Sequence, residues 1–172
     1  MVDDKKTLSG TITFLTSEAF KYHQKGDLKE AKNIYEQILK HKPKHFDALQ
    51  LLGILYGQIN EKDKAIKLLE SALQIKPDDA ATLNNYGVIL TEVNRTNDSY
   101  KALEKATNIK PDYAEAYNNI GIVYKELGQL DDAIKSHEKA LNIIPDYAEA
   151  HNNLGIILIE DRQLNEAIER FK

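Results

Sequence analysis

Cysteine and tryptophan are absent from this chain of 172 residues, and methionine occurs once. Without cysteine there can be no disulfide framework, thiolate metal site or cysteine nucleophile, and the redox compartment stays open. Long apolar runs are missing as well. The first eleven residues, MVDDKKTLSGT, are polar where a secretion signal needs an apolar stretch, and nothing later approaches the length of a membrane span. The default expectation is a cytoplasmic protein with no membrane partner. Positive charge is scarce: residues 1–45 carry nine Lys and Arg against six Asp and Glu, and residues 46–172 carry fourteen against twenty-one. An array that runs from weakly basic to acidic lacks the basic stripe that nucleic-acid binding needs.

Catalytic signatures are missing too, since no phosphate-binding loop, nucleophile elbow or paired-carboxylate constellation occurs. Five histidines invite a metal reading, and His41 and His45 have i, i+4 spacing. Pro43 lies between them, however, so they do not share a regular helix face, and no acidic third ligand is near. His137 and His151 fall at packing positions of the pattern described next. The chain by itself reads as a non-enzyme, with no metal and no cofactor.

What the sequence does have is a clock. Its four prolines, Pro43, Pro77, Pro111 and Pro145, follow one another at intervals of 34 residues. Glycine keeps the same time at Gly53, Gly87, Gly121 and Gly155, and so does a small residue at Ala31, Ala65, Ser99, Ala133 and Ala167. A fixed period of this length marks stacked supersecondary units, and about 34 residues is the length of a helix-turn-helix repeat. Placing each proline at position 32 gives repeats at 12–45, 46–79, 80–113 and 114–147 and a partial fifth at 148–172, after a flexible leader at 1–11. Within a unit, positions 4, 7, 8 and 11 are apolar or small, which is one face of a helix. In the fourth repeat these are Tyr117, Ile120, Gly121 and Tyr124. The second helix continues with Ala133, His137 and Ala140 and is expected to end near Ile143, ahead of the proline.

Position 15 holds Gly26, Asn60, Asn94 and Gly128, residues that tolerate the left-handed conformation able to end a first helix. Arg162 stands there in the fifth unit, which makes its turn less well specified. Asp112 with Glu115, and Asp146 with Glu149, have the three-residue spacing of a reciprocal N-cap.

These landmarks resemble the tetratricopeptide repeat family, whose pattern W-x2-L-G-x2-Y, A-x3-F, A and P is met in the second repeat by Leu49, Leu52, Gly53, Tyr56, Ala65, Leu69, Ala72 and Pro77. The fourth repeat meets it with Tyr117, Ile120, Gly121, Tyr124, Ala133, Ala140 and Pro145, His137 replacing the aromatic of the second helix. The first repeat departs most, with Glu18 and Ala19 at the Leu and Gly positions. The resemblance implies an all-α fold, a right-handed α-solenoid of antiparallel helix pairs, working as a protein-interaction scaffold for a peptide or partner helix.

In that family the remaining face of the first helix lines a concave groove. Positions 5 and 6 then read Asn84 and Asn85, Asn118 and Asn119, Asn152 and Asn153. Position 9 reads Phe20, Ile54, Val88, Ile122 and Ile156, and position 13 reads Gln24, Gln58, Glu92, Glu126 and Glu160. An amide offers both donor and acceptor, so a row of asparagines can bond a peptide backbone whatever its sequence. The second amides, Asn85, Asn119 and Asn153, resemble the asparagine ladder of the protein O-GlcNAc transferase superhelix, a likeness that assigns them backbone contact. Ser17 and Leu51 hold the matching sites earlier, so the ladder starts at the third repeat. An alternative is that one asparagine of each pair only bonds neighbouring helices. The carboxylate clamp of chaperone-binding members is absent, because its places hold Thr16, Phe20, Leu51, Ala81 and Asn85, or Glu115 or Glu149 where lysine is needed.

The last helix stops at Phe171 and Lys172 without a polar capping helix, and repeat arrays need capped ends. Continuation beyond Lys172 is therefore expected, with weak self-association through Ile168 and Phe171 as a further expectation. A second function class follows: the repeats would be the substrate-recognition part of a larger enzyme, such as a protein glycosyltransferase or sulfotransferase.

Overall fold

The structure is a computed structural model that describes the backbone of residues 2–170 and the side chains of residues 10–161. Among the described residues there are helices and no strands. Two compact units divide the chain, one ending at Pro77 and the other beginning at Asp78.

The first unit holds α1 (Val2–Gln24), α2 (Leu28–His41), α3 (Phe46–Gln58) and α4 (Lys62–Ile75). Helix α1 packs on α2, α2 on α3, α3 on α4, and the first helices α1 and α3 also touch. Residues 2–11, read as a leader, are part of α1, and the side chains before Gly10 lie outside the described residues. The second unit holds α5 (Ala80–Glu92), α6 (Thr96–Ile109), α7 (Ala114–Glu126), α8 (Leu130–Ile143) and α9 (Ala148–Arg170). There the antiparallel pairs α5–α6 and α7–α8 stack so that first helix meets first helix, α5 against α7 and α7 against α9.

Each turn inside a helix pair is left-handed where expected: φ is +80° at Gly26, +63° at Asn60, +59° at Asn94 and +72° at Gly128. Asparagine adopts this region at modest cost and glycine at none, which is why these two residue types alternate at the site. At Arg162 no turn forms. Helix α9 runs unbroken through that position.

Close packing explains the second periodic residue. A methyl group placed on Gly53 would lie 2.9 Å from Leu69 Cγ, one on Gly87 would lie 2.6 Å from Leu103 Cγ, and one on Gly121 would lie 2.5 Å from His137 Nε2. A side chain at any of these three positions would force the facing Leu69, Leu103 or His137 to shift. The partner helix presents a small buried residue nearby, and Ser99 uses its hydroxyl to donate to the Gly87 carbonyl at 2.7 Å.

Capping corrects one expectation. Helix α7 begins at Ala114 with Tyr113 as its N-cap and no side-chain cap bond, so Asp112 does not form the reciprocal cap with Glu115. The chain turns one residue later than the Asp-x-x-Glu spacing suggests, and Asp112 stays outside the helix. Side-chain caps occur instead at Asp27, His45 and Asp79, which accept from the backbone N–H of Glu30, Ala48 and Thr82.

Candidate functional site

The amide pairs of the second unit divide into two kinds. Asn84 and Asn118, at position 5, are buried between helices, whereas Asn85, Asn119 and Asn153, at position 6, are half-buried and Asn152 is exposed. The reason is a seam of hydrogen bonds between successive first helices. Asn119 Nδ2 donates to Asn84 Oδ1 at 2.9 Å, and Asn153 Nδ2 donates to Asn118 Oδ1 at 3.1 Å. Asn119 and Asn153 thus each commit one N–H to the helix before them and keep the carbonyl and the other N–H.

Asn118 is the fullest node. Its Nδ2 donates to Glu149 Oε1 at 3.1 Å, and its Oδ1 lies 3.0 Å from His137 Nδ1. Because that oxygen can only accept, His137 carries its proton on Nδ1, and both lone pairs of the Asn118 carbonyl are engaged. His137 Nε2 is buried without a hydrogen-bond partner and faces Gly121. Burial pushes the His137 pKa down to about 4, so the ring is neutral at pH 7. The histidine that replaces an aromatic in the repeat pattern is therefore a strut joining α7 to α8, held by the same amide that joins α7 to α9.

The aliphatic rungs Val88 and Ile122 are half-exposed and Ile156 is 40% exposed. Of the glutamates, Glu92, Glu126 and Glu160 are exposed, and Glu160 is paired with Lys125 at 2.9 Å. This pairing joins α7 to α9 on the same side as the amide seam and weakens the acidity of the last rung.

The first unit presents the same face with different chemistry. Thr16, at position 5, turns back to donate to the Ile12 carbonyl of its own helix at 2.8 Å, and Ser17 at position 6 is exposed. With Thr16 and Leu51 where the second unit has Asn84 and Asn119, an open cleft of about 420 Å³ remains between α1 and α3, lined by Phe20, His45, Asp47, Gln50 and Leu51 among others, while His23 Nε2 and Gln58 Oε1, 2.9 Å apart, join the two helices further along. Sequence reasoning missed this cleft because an open valley is defined by where Thr16 points, which residue type alone does not tell.

On the opposite side of each unit a first-helix tyrosine reaches a second-helix glutamate. Tyr56 donates to Glu36 at 2.7 Å with Lys32 and Lys64 over its ring at 5.3 and 5.1 Å. In the second unit the path is longer, Tyr124 donating to Tyr100 at 3.1 Å and Tyr100 to Glu104 at 3.0 Å. Burial and the Glu36 bond push the Tyr56 pKa up to about 12, and the bond from Tyr124 raises that of Tyr100.

Among the described residues no cluster of three metal-ligating side chains occurs, and no helix is long and apolar enough to cross a membrane. The side chains of Ile168 and Phe171, named for self-association, lie outside the described residues.

Paired helices, glycine-mediated contacts and left-handed turns at a fixed register define a helical-repeat solenoid protein. The chain belongs to the tetratricopeptide repeat family, whose models match residues 22–84, 87–128 and 112–172. A comparison with curated proteins finds no match. Among solved structures, one similar chain is a MamA protein, 27% identical with a TM-score of 0.79, the match covering 95% of this chain and 89% of that one. Another is pilF of Pseudomonas aeruginosa, 23% identical with a TM-score of 0.81 over 94% of this chain and 73% of that one. A third is YrrB, described as a TPR protein with an unusual peptide-binding site, 23% identical with a TM-score of 0.74 over 84% of this chain and 74% of that one.

Proposed function

We propose that the chain is a non-enzymatic, cytoplasmic protein-interaction scaffold that holds an extended peptide along the first-helix face of its second unit, on Asn85, Asn119 and Asn153. The observation that carries this reading is the division of labour within the amide pairs. Asn84 and Asn118 are buried and bonded inside the protein, while Asn119 and Asn153 are half-buried and keep hydrogen-bonding capacity after making the seam. Adjacent helices pack about 8–10 Å apart, and an extended peptide rises about 3.3 Å per residue. One amide rung therefore serves roughly every third peptide residue. Val88, Ile122 and Ile156 supply apolar contact beside the rungs, and Glu92 and Glu126 favour a basic ligand over an acidic one. The fold shared with YrrB is compatible with such a role.

The test is to measure binding of pooled decapeptides of net charge +3 and −3 to the wild type and to the triple variant Asn85→Ala, Asn119→Ala, Asn153→Ala. Each amide bond contributes about 0.5–1.5 kcal/mol net, so the triple variant is expected to bind at least about tenfold more weakly. The same variant removes the donors of Asn84 and Asn118, so it also loses stability and is assayed well below its unfolding temperature. Asn84→Ala, which opens a seam bond without altering a rung, is the control. Equal binding by triple variant and wild type would sink the proposal, as would a preference for the acidic pool.

A further inference from the structure

We infer that the cleft between α1 and α3 is a selectivity pocket for one apolar side chain of a peptide, with a basic residue directly after it. The inference rests on the proposed function only in taking the first-helix face as the one that bears peptide.

The cleft lies at the positions that carry the Asn84–Asn119 bond in the second unit, apart from the His23–Gln58 bond that also joins α1 to α3. At the positions where the second unit places Asn84 and Asn119, the first has Thr16, whose hydroxyl is turned onto Ile12, and Leu51. Neither side chain spans the valley. Phe20, 43% exposed, and Leu51 give the cleft an apolar surface, and at about 420 Å³ it is large enough for a leucine or phenylalanine side chain with its flanking backbone. His45 supplies direction. Its Nδ1 accepts the Ala48 N–H at 3.2 Å as the N-cap of α3, which leaves the proton of the neutral ring on Nε2 as a donor. Burial lowers the His45 pKa and keeps the ring neutral, so it offers a hydrogen bond without a positive charge that would repel a basic ligand. Asp47, exposed at the rim two residues on, then sets the sign of the neighbouring charge. An apolar wall, a neutral donor and a rim carboxylate suit a Leu-Arg or Phe-Lys step. An acidic peptide meets the Asp47 carboxylate, and a peptide without an apolar side chain leaves Phe20 and Leu51 uncovered.

The experiment titrates three blocked dipeptide amides, Ac-Leu-Arg-NH2, Ac-Gly-Arg-NH2 and Ac-Leu-Glu-NH2, into the full chain and follows backbone amide resonances. These probes are too short to span two amide rungs, so they report on the pocket alone. Ac-Leu-Arg-NH2 is expected to shift the signals of Ser17, Phe20 and Leu51, with at least a fivefold weaker apparent affinity for each of the other two. Phe20→Ser is expected to abolish the response with circular dichroism unchanged. Equal responses to leucine and glycine, or shifts centred elsewhere, would overturn the inference, and so would cleft signals that move with protein concentration instead of dipeptide, since a second copy would then be the occupant. A positive dipeptide result beside an indifferent asparagine triple variant would leave the pocket standing and remove the amide rail.

Discussion

The two units repeat one backbone plan, yet at positions 5 and 6 the valley between neighbouring first helices is an open cleft in the first and bridged by amides in the second. Thr16 satisfies itself on its own helix, whereas Asn118 holds His137, Glu149 and Asn153 at once. The difference lies at positions that the repeat does not need for closing its helix pairs. Positions that close them, Gly53 on Leu69 and Gly87 on Leu103, are alike in both units. Residues that close the helix pairs and residues that line the valley are thus interleaved at single-residue spacing along one helix, and divergence of the second set leaves the first intact.

The comparison is broken most forcefully at the shared positions. Leu69 and Leu103 are fully buried, and truncating either to alanine is expected to cost about 2–5 kcal/mol by cavity formation. Chemical denaturation should give similar losses for both, and a clearly smaller loss in one unit would show that its helix pair collapses around the cavity. A smaller effect separates the valleys. Asn118→Ala removes the partner of three side chains and should cost roughly 1–3 kcal/mol, while Thr16→Ala, which loses only a bond to its own helix, should stay within about 0.5 kcal/mol. Equal losses in urea unfolding would mean that the seam is not cooperative.

Acid sharpens the contrast further. The pKa of His137 is about 4 when folded and near 6.5 when unfolded, so below 6.5 the unfolded chain binds the proton more readily. The contribution of neutral His137 is complete above pH 6.5 and is lost progressively down to about 4. A loss of about 1–2 kcal/mol over that window is expected from the 1.4 kcal/mol carried by each pKa unit, reduced for partial relaxation. His137→Leu, which restores the residue type of Leu69 and Leu103, should flatten this part of the profile. An unchanged acid transition would assign it to carboxylates instead. The smallest expected effect is on the opposite side, where Tyr56→Phe and Tyr124→Phe should each cost about 0.5–1.5 kcal/mol. Because Tyr124 acts through Tyr100, its loss should fall when Tyr100 is already phenylalanine, a coupling that a double-mutant cycle measures.

How much of this was legible in the residues depended on how local the cause was. The left-handed turns at Asn60 and Asn94 follow from the tolerance of a single residue type, and the close approach at Gly87 follows from the absence of a single side chain. Both were readable. The helix start after Asp112 was misplaced because a cap depends on where the backbone turns, and a three-residue spacing fits two registers equally. The asparagine pairs were visible as a ladder, but which of the two faces inward is decided by a neighbour 35 residues away and by His137 on another helix. The open cleft at Phe20 was not legible, since it arises from what Thr16 and Leu51 fail to reach.

The bonds from Asn119 to Asn84 and from Asn153 to Asn118 each join residues 35 apart, one repeat and one further step. A repeat that carries both amides is self-sufficient in duplication: its first amide accepts from whatever copy follows, and its second donates to whatever copy precedes. Insertion of another such stretch creates a new bond at one boundary and breaks none at the other. Loop closure for each bond involves the same short length however many copies accumulate, so the entropy of closing it does not grow with the array. The motif carries its own instructions for being extended.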